Sequence, residues 1–590
     1  MSSPATAQVT ARISFRFSAD GSRAVCMAAD ERGRHRVESW QLGTVGPRLS
    51  FTAPVTGDPR WMMPLPVDAD RALLTWFGAG GALTAELLDR DGGRTTLGTF
   101  PAPLRVIGAP AATGFPALGW ADAPESAGTT LHRLGVGTPW LRPVAEVPGR
   151  LRDAVACGDR VLVTTGHGGR STRMIVDPRD GTCVPAPWLD GLSRVLACAG
   201  RRVLATVRRP EGPTVVLADL DTGEPRWSAP GDWCRPEVYP VALDPTGTSI
   251  AVVQTRGARS RLLRWDTMSR AAHPVTMPDS DLVPLAAWTP NGLWLPRSGP
   301  DRPCGLAWLP PGADRLRVPA PPSPPWSPGR LETFPGAGGP VEAVVHGPDW
   351  RSAAHVVVAL HGGPASRWSL TFEPLFQALA TAGVAVVAPN QRGSTGYGTA
   401  HARAIVGAWG VPDLADVAAI GAFLGSRRGP GRPRPALYGV SYGAYLALLA
   451  AATQPDAWSA CAALAPFLSG PRLHADGHPA VRGMVERLDG LTEADDEIGP
   501  RDVARLASGL RAPLLLVHGA QDESTPVAHS RLLAERLTAL GRSRGVDLHY
   551  LEPPDRGHAV LGTAVQDPVT AVVTRFLAES RPTVAPAPTS

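Results

Sequence analysis

The stretch ALYGVSYGAYLALLA, residues 436–450, sets a serine between two glycines where a short apolar run meets a longer Ala/Leu-rich one. The first run reads as a buried strand and the second as a helix, the strand–turn–helix setting that a nucleophile elbow requires. Gly439 and Gly443 then stand where a side chain would collide with the sharp turn or the adjacent strand. Ser441 would occupy a strained backbone conformation, with its hydroxyl above the C-terminal edge of a sheet. In a chain with 64 glycines a G-x-S-x-G match carries little by itself, so the flanking segments must decide it.

Those flanks alternate strands with amphipathic or Ala-rich helices, the mark of an α/β domain built on a mostly parallel sheet. Strands read at LETFPG, VEAVVHG, HVVVALHG, VAVVAPN, ALYGV, ACAALAP, PLLLVHG and DLHYLE, all beyond residue 330. Helices read at EPLFQALATAG, PDLADVAAIGAFLGSRR, YGAYLALLAAATQ, PVAHSRLLAERLTALG and DPVTAVVTRFLAES. Upstream, the Pro-rich segment at 311–330 cannot supply ladder donors and reads as a semi-rigid linker.

Before it, residues 1–310 repeat a pattern of short strands broken by Asp/Gly turns. Its units begin near Ile13, Trp61, Val106, Asp153, Arg194, Pro240 and Pro284, about 41 to 48 residues apart. Two β-sandwiches would also give short strands and regular turns, but this period is that of a four-stranded blade and favours a seven-bladed β-propeller. The expected organisation is an all-β propeller at 1–310, the linker at 311–330, an α/β-hydrolase domain at 331–580 and a disordered tail at 581–590.

A serine hydroxyl attacks only when a base takes its proton, and that base needs a carboxylate to orient it. In this fold class the order along the chain is Ser, Asp, His, each on a loop after a strand. Asp522 in HGAQDESTP follows PLLLVHG, and His558 in PPDRGHAV follows DLHYLE. The charge developing on a substrate carbonyl needs preset donors. The backbone N–H of Tyr442 supplies one, and the Gly363 N–H in His361-Gly362-Gly363-Pro364 is expected to supply the other.

Taken together, HGGP at 361–364, PNQRGSTGYG at 389–398, WGVPDLAD at 409–416, GVSYG at 439–443, HGAQDESTP at 518–526 and RGH at 556–558 resemble the prolyl oligopeptidase family of serine peptidases. The closest look is to its acylaminoacyl-peptidase and dipeptidyl-aminopeptidase-like branches, over residues 328–580. The resemblance implies a Ser441–His558–Asp522 triad, an oxyanion hole from Gly363 and Tyr442, and a propeller that admits only short peptides. It also implies that Arg392 and Asp416 support the loops around the site. Where the family often has an arginine two residues after the triad aspartate, this chain has Ser524, so substrate positioning differs.

The family builds a substrate pocket after the strand ACAALAP, which makes Phe467 and Arg472 candidate substrate-binding residues. An aromatic after a strand is also a common core residue. His474 and His478 read as loop residues with no third ligand in view, so no metal is expected, and no cofactor is required. Glu486, Glu493 and Glu497 read as solvated charges, and no propeller Glu-Glu pair is assigned to a substrate amino terminus.

Composition bounds the partners. All 58 basic side chains are arginine, the formal charge is +5, and acidic residues are interleaved with them along the chain. No basic cluster or aromatic-studded stripe marks a nucleic-acid surface. No run approaches a membrane span and no leader is apparent, which together predict a cytoplasmic protein without a membrane partner; a homo-oligomer stays open. The seven cysteines have no CxxC pair and read as reduced, mostly buried residues. The expected reaction is hydrolysis of short peptides or peptide-like substrates through an acyl-enzyme. The alternative, an esterase or acyl transferase, uses the same triad.

Overall fold

The computed structural model describes residues 9–579 apart from 58–61, 79–80, 111–112, 123–127, 138, 168–169, 211, 230–232, 234, 236, 319, 321–324 and 495. Cys234 and the tail at 581–590 lie outside the described residues. Strands between Val9 and Leu309 form seven antiparallel sheets of four strands each. They span 9–55, 62–100, 104–147, 150–185, 192–228, 238–274 and 281–309, blades 1 to 7. Each blade is hydrophobic on both faces because it is sandwiched between neighbours. Leu118, Leu131 and Val147 of blade 3, for example, pack on Leu151, Val161 and Val163 of blade 4.

No described strand from beyond blade 7 joins blade 1, so side chains close the ring. Phe15, Ala24, Cys26 and Leu42 of blade 1 pack on Trp294, Leu306 and Trp308 of blade 7. Glu38, buried at this seam, pairs with Arg12 at 2.6 Å, and the Arg12 guanidinium also donates to the Cys304 carbonyl. The expectation of reduced cysteines needs correction, because Cys157 and Cys198 form a disulfide 41 residues apart. One blade period separates them. Equivalent positions on the innermost strands of blades 4 and 5 are therefore brought side by side, a proximity that the ring creates and local spacing does not reveal.

The second domain is an eight-stranded sheet in the spatial order Gly329–Gly336, Gly339–His346, Val384–Pro389, His355–Leu360, Ala436–Val440, Cys461–Leu464, Leu514–Val517 and Leu548–Leu551. The first two strands are a hairpin, and every pairing from Val384–Pro389 onward is parallel. Buried on both faces, the strands read as unbroken apolar runs such as HVVVAL. Val356, Val358 and Leu360 face one core cluster, and Val357 and Ala359 the other. All eight strands and five helices expected from the sequence are present. HADGH departs from its loop reading: His474 lies in a helix at Gly470–Asp476, and His478 caps the next, Pro479–Arg487.

Between the two domains the Pro-rich segment is held at both ends. Leu316 packs into the core shared by blades 6 and 7, and Trp326 meets Phe372 edge-on at 5.2 Å. Blades 6, 7 and 1 touch the hydrolase domain. The tip of a blade 6 hairpin enters its core: Ala258 is wholly buried there, its N–H donates to Glu342 and its carbonyl accepts from the Leu370 N–H. Asp281 of blade 7 pairs with Arg367 at 3.2 Å, and Thr10 of blade 1 donates to the Thr563 carbonyl. An Ala258→Asp change would place an unpaired charge in this joint. It should lower the unfolding free energy of the whole chain by about 3 kcal/mol in a denaturant titration, while Ala258→Gly costs about 1 kcal/mol or less.

Candidate active site

The strand Ala436–Val440 ends one residue before the helix Tyr442–Thr453 begins, so the chain reverses within Ser441 alone. That serine takes φ 55° and ψ −118°, a conformation L residues avoid and one that persists only where packing enforces it. The glycines explain the packing. A Cβ at Gly439 would overlap the Gly443 carbonyl, and one at Gly443 would overlap the Leu360 carbonyl and stand 2.6 Å from that of His361. The serine hydroxyl is thereby thrust out at the C-terminal edge of the sheet.

His558 and Asp522 arrive there from loops after the last two strands. His558 Nε2 is 3.1 Å from Ser441 Oγ, and Nδ1 is 2.8 Å from Asp522 Oδ2. A carboxylate only accepts, so Nδ1 carries the proton and Nε2 faces the serine hydroxyl bare, the tautomer of a general base. Asp522 has no exposed side-chain surface. Burial pushes its pKa up, but hydrogen bonds from His518, His558 and the Thr525 N–H outweigh this and hold the carboxyl well below the usual range. Ser524, where the family often has arginine, gives its backbone N–H to Asp522 Oδ1 at 2.9 Å.

His518 is a contributor that the sequence reading overlooked. Its Nε2 is 2.8 Å from the Thr525 carbonyl and 3.2 Å from Asp522 Oδ2, and its Nδ1 is 2.8 Å from Ser530 Oγ. The carbonyl can only accept, so Nε2–H is a donor shared with Asp522, while Nδ1 accepts from Ser530. Asp522 thus lies between two imidazoles. Asp522 follows His518 by four positions in HGAQD, a spacing that signals contact on a helix but not on the loop that carries it here.

The loop His361–Pro364 lies against the elbow, since a Cβ on Gly362 would come within 3.3 Å of the Val440 carbonyl and 3.5 Å of Ser441 Cβ. His361 anchors it through Gly362 O and Ser394 Oγ, both at 2.7 Å, and burial draws its pKa down to about 4, which keeps it neutral. Gly363, in the same loop, takes φ 127°. Tyr442 is the first residue of its helix, so its N–H has no acceptor within the helix.

Behind the elbow, the Tyr442 hydroxyl donates to Asp413 Oδ2 at 2.7 Å, and both side chains are buried. Burial raises the Asp413 carboxyl to about 6, against the smaller effects of the Tyr442 hydroxyl and the Leu414 N–H. Arg392 grips the buried Asp416 through two nitrogens, at 3.0 and 2.9 Å, and donates to the Pro412 carbonyl. This pins the 390s loop to the helix that carries Asp413. Phe467 is 2% exposed and stacks on Tyr445 at 4.6 Å within the cluster of Trp409, Tyr442 and Tyr445. Arg472 pairs with Asp502 at 2.9 Å. His474 bonds Glu486 at 2.7 Å and His478 accepts from the Ala480 N–H, so the two histidines are engaged separately.

Known proteins resemble this chain in sequence and fold. Residues 370–581 match the sequence model of the prolyl oligopeptidase family. Over 212 residues the chain is 28% identical to dipeptidyl peptidase family member 6 of Caenorhabditis elegans, covering 35% of this chain and 28% of that protein. Over 233 residues it is 28% identical to dipeptidyl aminopeptidase BIII of Pseudoxanthomonas mexicana, covering 38% and 33%. The chain thus matches about a third or less of the length of each of these two relatives. The fold superimposes on the Pyrococcus horikoshii acylaminoacyl peptidase with a TM-score of 0.71 at 15% identity, covering 98% of this chain and 97% of that one. The chain therefore joins a seven-bladed propeller to a domain whose residues 370–581 match the prolyl oligopeptidase family.

Proposed function

We propose that the chain is a peptidase that hydrolyses short peptides through an acyl-enzyme on Ser441. The observation that carries this reading is His558 lying between Ser441 Oγ at 3.1 Å and Asp522 Oδ2 at 2.8 Å. Ser441 Oγ attacks the scissile carbonyl as its proton passes to His558 Nε2, and Asp522 stabilises the imidazolium through Nδ1–H. The tetrahedral oxyanion is held by the N–H groups of Gly363 and Tyr442. As the C–N bond breaks, His558 returns the proton to the leaving amine. Water, deprotonated by the same nitrogen, then attacks the acyl ester and frees Ser441. The propeller, docked through blades 6, 7 and 1, limits entry to short, unfolded chains. An acyl ester would pass through the same intermediate, so comparing aminoacyl anilides with short acyl esters tests the class, and a strong ester preference would overturn the peptidase assignment.

A fluorophosphonate probe should label the parent at Ser441 alone. Ser441→Ala should lose both labelling and at least about 1,000-fold of peptide turnover; turnover at the parent rate would refute the mechanism. His518→Phe removes one donor from the triad carboxylate and should lower kcat about 10- to 100-fold with KM little changed, and His518→Gln should recover part of the loss. A proportional loss of folded protein, seen by circular dichroism, would instead assign His518 a packing role.

Asp413 predicts a pH signature in stability. Its pKa in the folded chain lies above the unfolded value of 3.8, at about 6. Its favourable contribution is therefore complete below pH 3.8 and is lost as pH rises through 6. Replacing it with Asn should flatten the parent's decline between pH 4 and 7 by about 3 kcal/mol, read as the difference between the two unfolding curves across that range.

A further inference from the structure

The segment WGVPD, residues 409–413, supplies no group to the acyl-transfer steps, yet it closes around one side chain of the elbow. The Trp409 ring meets the Tyr442 ring edge-on at 5.2 Å, the Gly410 N–H donates to the Tyr442 hydroxyl, and that hydroxyl donates to Asp413 Oδ2 at 2.7 Å. Gly410 is itself tied down, because its carbonyl accepts from the Nε–H of buried Arg501 at 2.9 Å. Tyr445 and Phe467 also pack on the Tyr442 ring, with centroids 5.7 and 6.1 Å away. Tyr442 is therefore held at both ends, its hydroxyl by this clasp and its backbone by the turn at Ser441, while its N–H has no acceptor within the helix.

Packing does not account for the carboxylate. A Phe would fill the place of the Tyr442 ring, and Leu446, Leu448 and Leu449 already anchor the helix. Asp413 is wholly buried, and the charged group that acts on it is a second carboxylate, Asp416. Stability is thus no reason for an acid here, and what it does provide is a fixed direction for the Tyr442 hydroxyl. Three residues on in the same helix, Pro412–Arg427, buried Asp416 accepts from the Arg392 backbone N–H and Nε, both at 3.0 Å. Arg392 shares its loop with Ser394, whose Oγ is 2.7 Å from Nε2 of His361, the residue that opens the loop holding Gly363. The start of one helix therefore braces the elbow on one side and the His361–Pro364 loop on the other.

We propose that Asp413 is a positioning residue for the reaction: through the Tyr442 hydroxyl it fixes the Tyr442 N–H at the place where charge develops on the scissile carbonyl. The inference rests on the acyl-enzyme reading of Ser441 and gives its oxyanion hole a support that lies behind it. An oxyanion donor accelerates the reaction only when it is already aimed, because the charge it meets forms in the transition state rather than in the bound substrate. Loosening Tyr442 therefore slows the chemical step and leaves substrate binding almost unchanged.

The test uses the full chain with Tyr442→Phe, Asp413→Leu, the two combined, and Asp413→Asn. Tyr442→Phe should lower kcat about tenfold with KM within about twofold of the parent. Asp413→Leu should fall at least as far, and the double variant no further than Asp413→Leu alone, because each removes the same bond. Asp413→Asn, whose amide oxygen still accepts from the hydroxyl, should stay within about threefold of the parent. The rate of fluorophosphonate labelling at Ser441, in which a phosphoryl oxygen occupies the same hole, should fall in the same order. An unchanged kcat and labelling rate in Tyr442→Phe would overturn the inference and leave the peptidase reading intact, as would equal losses in Asp413→Asn and Asp413→Leu. Losses that multiply in the double variant would show that the two residues act separately and overturn it too. A loss that tracks the folded fraction by circular dichroism, or a raised KM at unchanged kcat, would give the pair a packing role instead. A parent that labels but cleaves no peptide would refute the peptidase reading alone, since the labelling rates still decide the role of Asp413; a parent that does not label would overturn both.

Discussion

The backbone of Gly443 lies so close to the Leu360 and His361 carbonyls that one added carbon would overlap the first and stand 2.6 Å from the second. This approach lets a helix begin one residue past a strand and obliges Ser441 to absorb the turn at φ 55°. Backbone strain of that kind costs about 1–3 kcal/mol. It is offset by the helix behind it, in which Leu446, Leu448 and Leu449 are wholly buried, each contributing about 1.5–3 kcal/mol. The loops that carry Asp522 and His558 and the His361 loop converge on the point the serine is forced to occupy. The elbow is therefore the reference to which the rest of the site is registered.

Much of this was legible in the sequence because the hydrolase writes its chemistry in short local words. Unbroken apolar strands, a glycine-flanked serine, and an aspartate and a histidine after the next strands are each contiguous, and chain order links them. The propeller was legible through its period rather than any motif. What escaped was made by tertiary proximity. The Cys157–Cys198 pair spans one blade, and the Tyr442 hydroxyl finds Asp413 across 29 residues. His518 reaches Asp522 only because the loop folds back on the strand that precedes it. The helices at 470–487 escaped for another reason: they are short, rich in Arg, Gly and Pro, and bury few side chains, so the apolar spacing of Val481, Met484, Val485 and Leu488 is too brief to stand out.

The joint between domains follows from the same logic of close approach. A hairpin tip can enter another domain's core only if its side chain is small and its polar backbone finds partners. Ala258 meets both conditions, with Glu342 and Leu370 taking up its N–H and carbonyl. Glu342 also accepts from the Tyr397 hydroxyl, and Tyr397 lies on the loop whose Thr395 N–H bonds the Ser366 carbonyl. The propeller thus reaches, through three hydrogen bonds, the segment that follows the His361–Pro364 loop. Docking of the two domains and the shape of the site share these atoms.

The basic residues of this chain are arginines without exception. A guanidinium keeps its proton at any pH at which the fold survives, and it offers no primary amine. The Arg12–Glu38 pair at the seam of the ring can therefore be neither titrated away by alkali nor capped by acylation of a lysine. Alkaline conditions that would silence a lysine-built seam leave this one charged, so closure of the ring is a permanent property of the fold rather than a setting of the medium.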